Sequence, residues 1–306
     1  MSTVSVTNLK NASSASNNIV LDSSGNATFA GTAVPSSSFL RNRIINGNMY
    51  IAQRGTSGTS GYLLDRWITS STSAQSQSSD APTGFINSLE FTSSSATFPN
   101  LAQRIERLNS YDLAGRVVTF SFWAKSVSGS SNLYVEIYRA NANDNFSSVT
   151  LEGLVVLTAS PSASWTFYSG SITLSASATT GVELRIIRDN TSAASTRVTG
   201  VQLEVGSAAT PFERRQFGQE LALCQRYYQV GFAAGRLSIA ATEGWPIQYK
   251  VTMRATPTIT FGTAYSSFGL STGPLADNAD TNGFTMRISG AGDHGWTGPY
   301  SAAIEL

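Results

Sequence analysis

Few side chains in this 306-residue sequence are suited to covalent or acid–base chemistry, and their spacing narrows the options further. The single histidine, His294, stands in Gly290-Ala-Gly-Asp-His-Gly295, a glycine-rich run that reads as a loop. No serine or cysteine in a nucleophile-elbow context accompanies it, so a Ser-His-Asp triad has little support. The single cysteine, Cys224, excludes an internal disulfide framework and a cysteine-based metal cluster. The zincin helix motif, the glycine-rich phosphate loop and the dinucleotide fingerprint are all missing, and loop oxygens around Asp144 or Asp189 carry no calcium motif. No metal and no cofactor is expected. Carboxylates remain, because glycoside hydrolysis needs only two, roughly 5–9.5 Å apart. Glu136 and Glu183 both fall at outward positions of β-like runs, but whether those runs are neighbours is not readable from one sequence. Structural or surface roles are expected for them, and hence a protein that is not an enzyme.

Binding is better supplied than catalysis. In Asn132-Leu-Tyr-Val-Glu-Ile-Tyr-Arg139 the period-2 alternation sends Leu133, Val135 and Ile137 to one face and Tyr134, Glu136 and Tyr138 to the other. In Gly181-Val-Glu-Leu-Arg-Ile-Ile-Arg188, Val182, Leu184 and Ile186 likewise leave Glu183 and Arg185 opposite. Aromatic rings beside carboxylate and guanidinium groups suit the mixed apolar and hydroxylated surface of a sugar. The competing reading is that a loop or another subunit covers this face. Trp67 and Trp123 are expected to pack in the core or at a sheet edge, with Asp65 and Arg66 forming a local ion pair.

The elements that must carry these residues are mostly strands. Further β-like runs are Arg116–Lys125, Trp165–Leu174 and Arg197–Glu204, separated by Ser, Gly, Asn or Pro clusters and by no convincing amphipathic helix. That pattern predicts an all-β jelly roll or sandwich rather than a parallel α/β sheet. It ends at Gly200-Val-Gln-Leu-Glu-Val-Gly206, after which Thr210-Pro211 turns the chain into a helical pattern over 213–229, with Phe217, Leu221, Cys224 and Tyr228 on one stripe. Strands are then expected at Arg236–Ala240, Ile247–Met253, Thr258–Phe261, Gly283–Ile288 and Tyr300–Leu306, a small antiparallel domain. Three units follow: an extended N-terminal attachment or trimerisation arm, 1–42; a jelly-roll carbohydrate-binding-like domain, 43–212; and a helix plus C-terminal β-domain, 213–306.

The arm holds two short β-like runs, Asn18–Asp22 and Asn26–Ala30, and is too poor in hydrophobic residues to fold alone. Its order is expected to come from copies of itself or from a partner. With Lys plus Arg at 20 and Asp plus Glu at 19, the chain has no electrostatic footprint for nucleic acid or an anionic membrane. The N-terminus does not read as a signal peptide, and no apolar run is long enough to span a bilayer, so synthesis in a cytoplasm is expected.

An ordered set of blocks runs through the chain: Arg43-Ile-Ile-Asn-Gly-Asn-Met-Tyr-Ile-Ala-Gln-Arg-Gly55, Asp65-Arg-Trp67, Gln103-Arg-Ile-Glu106, Leu113–Lys125, Gly200-Val-Gln-Leu-Glu204, Thr210-Pro-Phe-Glu-Arg214, Leu221-Ala-Leu-Cys-Gln-Arg-Tyr-Tyr228 and Met253-Arg-Ala-Thr-Pro257. The set resembles tail-fibre proteins of bacteriophages and prophages, cyanophages among them. The resemblance implies a jelly roll similar to carbohydrate-binding modules, a homotrimeric fibre of the virion tail, attachment to a tail or baseplate protein, and adsorption to a host polysaccharide or lipopolysaccharide. It implies no active site. A tail-associated depolymerase using paired carboxylates, and a purely structural spacer or adaptor, are the alternatives.

Overall fold

The structure, a computed structural model, describes residues 8–9, 19–21, 27–29, 41–93, 100–129, 132–158, 161–189 and 193–306. Three short strands, β1 (Asn8–Leu9), β2 (Ile19–Leu21) and β3 (Ala27–Phe29), form an antiparallel sheet in the order β1-β2-β3. β2 and β3 fall inside the two runs expected in the arm; most of the arm lies outside the described residues.

A ten-stranded antiparallel sheet follows. Its strands are β4 (Ser57–Tyr62), β5 (Ile68–Ser78), β6 (Ser88–Ser93), β7 (Asn100–Ile105), β8 (Val117–Ser128), β9 (Leu133–Ala142), β10 (Asn145–Thr158), β11 (Thr166–Thr173), β12 (Val182–Arg188) and β13 (Ala194–Val205). The order β10-β9-β12-β7-β5-β6-β13-β8-β11, with β4 on β5, wraps the sheet into a jelly-roll-like sandwich. The turn between its halves is made by β5, which pairs with β7 through Ile68 and Thr69 and with β6 from Ala74 to Ser78. At the other side of the wrap β10 approaches β11 closely: a Cβ added to Gly153 would stand 2.7 Å from Ile172.

Alternation fills the space between the two halves. Leu133, Val135 and Ile137 of β9 and Val182, Leu184 and Ile186 of β12 meet Val118, Phe120, Phe122 and Ala124 of β8, all fully buried together with Trp67. On β13 the inward residues are Val198, Val201 and Leu203, a change of parity produced by a bulge at Gly200, whose φ is +64°. The expected inward partner Val205, at the strand end, is exposed.

The helix α1 (Phe217–Gln225) is shorter than the periodicity suggests. Residues before it are held extended, because the Glu213 N–H donates to Gln202 Oε1 at 2.8 Å and the Arg215 guanidinium bonds the Ile44 carbonyl at 3.0 Å. Tyr228 has already entered the next strand. The apolar stripe packs largely within the chain, with Cys224 buried against Ile45, Ile51 and Tyr227 and Leu221 packed beside them. Phe217 alone stays exposed, edge-on to Tyr50 at 5.5 Å.

The second sheet is built around one long strand. β14 (Tyr228–Leu237), β15 (Ala241–Gln248), β16 (Thr258–Phe261) and β17 (Ser266–Asp277) all pair with β18 (Gly283–Ala303). The expected strands at 236–240 and 247–253 are displaced toward the N-terminus, and those at 283–288 and 300–306 fall on the same 21-residue strand, which ends at Ala303. His294 therefore lies in β18, fully buried, with Nδ1 2.6 Å from the Gly292 carbonyl, and the loop reading of Gly290–Gly295 is corrected. The glycines there serve close packing: a Cβ on Gly290 would sit 2.5 Å from the His294 ring and from the Gly269 carbonyl.

Candidate functional site

β12 lies between β9 and β7, and its register brings the five sequence-predicted residues onto one face. Glu183 stands opposite Tyr138, and Arg185 opposite Glu136, so Glu136 and Glu183 are diagonal neighbours on paired strands. Tyr134 lies one repeat along, opposite Ile187. The Arg185 guanidinium sits over the Tyr138 ring, 4.1 Å from its centre, and donates to Glu183 Oε1 at 2.7 Å. Tyr138 donates its hydroxyl proton to Glu136 Oε2 at 2.7 Å, and Arg104 of β7 approaches Glu183 Oε2 at 3.4 Å. Glu183 is thus buried between two guanidiniums, although alternation alone places it outward.

Burial pushes the Tyr134 and Tyr138 hydroxyls up to about 12, with the Glu136 carboxylate adding to both. Both phenols remain donors at neutral pH. Beyond β9, the edge strand β10 sets Leu151, Leu154 and Val156 opposite Tyr138, Glu136 and Tyr134. All three are exposed and give the face an apolar border. Asp144 and Asp189, considered for calcium, are engaged by protein: Asp144 Oδ1 accepts the Arg107 N–H at 2.6 Å and Asp189 Oδ2 accepts from Asn132 at 2.5 Å.

Trp67 is core, as expected, and donates its indole N–H to the Asn46 carbonyl at 2.9 Å. Trp123 is different. It lies half-buried on the outer face of β8, paired across the ladder with the exposed Phe167 of β11, their rings 5.5 Å apart. Outward alternation (Thr119, Ser121, Trp123, Lys125) was the signal that could have separated Trp123 from the core. The Asp65–Arg66 ion pair is also redistributed. Asp65 accepts the Gln53 N–H at 2.6 Å, while Arg66 stacks on Tyr227 at 3.5 Å and pairs with Glu305.

No protein-family model matches the chain, and no curated protein sequence matches it. Solved structures similar to it include the enzymatically active domain of tailspike protein 4 of bacteriophage CBA120, at 13% identity and a TM-score of 0.37 over 54% of this chain and 22% of that one. Another is the CBM22-2 xylan-binding domain of Paenibacillus barcinonensis Xyn10C, at 18% identity and 0.36 over 46% and 92%. A third is an arabinose-bound α-L-arabinofuranosidase, at 13% identity and 0.39 over 56% and 27%. At these values the likeness carries no argument, and fold, ligand and activity rest on this chain's own residues. The expectation that the protein is not an enzyme is corrected, because an all-β sandwich of this kind does not by itself exclude catalysis. The structure also removes one ground for that expectation, since Glu136 and Glu183 prove to lie on neighbouring strands.

Proposed function

We propose that this chain is a glycan-binding protein of the phage tail-fibre type, adsorbing to polysaccharide or lipopolysaccharide on a host surface. The observation that carries the reading is the face built by Tyr134, Glu136, Tyr138, Glu183 and Arg185. An apolar border, a stacked Tyr138–Arg185 pair and carboxylate acceptors lie side by side, the combination a sugar ring needs for stacking and hydroxyl recognition. The ordered sequence blocks support the tail-fibre part. A homotrimer in the virion tail, anchored through the N-terminal arm to a tail or baseplate protein, belongs to the same proposal, and three copies would multiply a modest single-site affinity. Affinity electrophoresis through gels containing bacterial surface polysaccharides tests it. Retardation by at least one polysaccharide is expected, and free migration through all of them refutes it.

A second reading, polysaccharide cleavage, is favoured by one observation: Glu136 and Glu183 are diagonal neighbours across a ladder, a relation that sets Cβ atoms roughly 7–8 Å apart or somewhat less. Glycosidase pairs hold their carboxyl groups roughly 5–9.5 Å apart, a span that two side chains rooted at such positions can reach. New reducing ends released from a retained polysaccharide, and lost in Glu183→Gln, would establish it. Binding without release would leave recognition as the function.

A further inference from the structure

The block Gly200–Phe212 forms one wall of an open groove of about 440 Å³ on the half of the sandwich sheet that carries β13, β8 and β11. Its floor is Ser121 and Trp123 of β8 with Phe167 of β11; its wall is Ala209, Thr210, Pro211 and Phe212. We propose that this groove is a second saccharide-binding site, selective for an uncharged sugar chain. The proposal rests on the glycan-binding reading above but on different residues.

The wall is fixed before any ligand arrives. Gln202 and Glu204 point to the outer face of β13, and the chain folds back over them. Glu204 accepts the Thr210 N–H at 2.8 Å and its hydroxyl at 2.6 Å, while Gln202 donates to Glu204 Oε1 at 2.8 Å. Arg41 holds the Pro211 carbonyl at 2.8 Å. Phe212 packs edge-on to Phe85 at 5.2 Å, and Arg214 covers Phe85 at 4.7 Å. The left-handed Gly200 allows Phe85 this position, since a Cβ there would stand 2.6 Å from its ring. A pre-formed wall beside an aromatic floor loses little order on binding.

The occupant follows from the charge at the open end. One strand repeat beyond Trp123 and Phe167 stand Lys125 and Trp165, and Arg197 lies opposite Lys125 on β13. Asp80 accepts from Lys125 Nζ at 2.7 Å, from the Trp165 indole at 3.0 Å and from Arg197, which also donates to Glu90 at 2.9 Å. Two cations and two carboxylates cancel. A polyanion gains nothing there, whereas hydroxyl groups meet both donors and acceptors. Aromatic planes with a neutral polar rim suit an uncharged saccharide better than a uronic-acid polymer or a wholly apolar ligand.

The test uses the full chain on an array of neutral and acidic oligosaccharides, with Phe167→Ala, Ala209→Arg and Tyr138→Ala compared to the parent. Phe167 is exposed, so its loss leaves the core intact, and Ala209→Arg obstructs the groove without removing its floor. Weakening of binding to a neutral glycan by about fivefold to tenfold is expected in both groove variants. Unchanged binding in both, with loss in Tyr138→Ala, overturns the second site and leaves the first. No binding by the parent overturns both. Loss confined to acidic glycans, or a changed oligomeric state with unchanged glycan binding, also contradicts the proposal.

Discussion

At the residue scale, the molecule pairs its charges closely. Asp80 joins β8, β13 and the approach to β11 by accepting from Lys125, Arg197 and Trp165, and those hydrogen bonds, that of Lys125 foremost, hold its carboxyl at about 2, below its usual 3.8. A depressed carboxyl contributes stability that is fully present above the unfolded-state value and is lost as pH falls toward the folded one. Thermal unfolding followed from pH 6 to pH 2 is therefore expected to show the parent losing its advantage over Asp80→Asn mainly between about pH 5 and pH 2. A constant difference across that range would show that Asp80 does not make these bonds in solution. Cys224 belongs to the same scale: burial raises its thiol well above the ordinary value, so it behaves as a packing residue.

At the scale of elements, the segment 43–55 shows why its residue types are what they are. Asn46, at φ +56°, accepts the Tyr50 and Ile51 N–H groups at 3.0 and 2.9 Å and donates to the Ile51 and Asp65 carbonyls at 2.9 and 3.0 Å. Next to it, Gly47 lies against β13, where an added Cβ would fall 2.2 Å from the Val201 carbonyl oxygen. Gly47→Ala must displace backbone rather than a flexible side chain, and a loss of about 2–3 kcal/mol is expected in urea unfolding. A loss within about 0.5 kcal/mol would contradict this packing. Five of the ten sandwich strands, β8, β9, β11, β12 and β13, and the outward set Tyr134, Glu136, Tyr138 and Arg185 were legible because alternation is local. The pairing of β9 with β12 was not, since register between segments some forty residues apart is fixed by long-range packing. The bulge at Gly200 and the glycine-rich stretch of β18 escaped for another reason. Glycine signals both turns and close approaches, and only the neighbours decide which.

At the scale of the whole molecule, most of the sequence blocks converge where the two large sheets meet. Arg66 stacks on Tyr227 and pairs with Glu305; Arg54 covers Tyr228 at 3.7 Å; Glu106, buried, takes Arg226 at 3.1 Å and Arg254 at 3.5 Å. Glu106→Gln leaves Arg226 short of a counter-charge and Arg254 with Asp144 alone at 3.7 Å, and a cost of about 3 kcal/mol with a broadened or divided calorimetric transition is expected. A sharp, unshifted transition would show that the sheets are not coupled there. Beside this junction lies the face we propose for glycan recognition, where Arg104 both pairs with Glu183 and donates to the Leu306 carbonyl. The dissociation constant of a retained polysaccharide for the parent and for Tyr138→Ala tests that most directly: removal of the stacked ring is expected to weaken binding by about tenfold at unchanged melting temperature, and full affinity in the variant would contradict it.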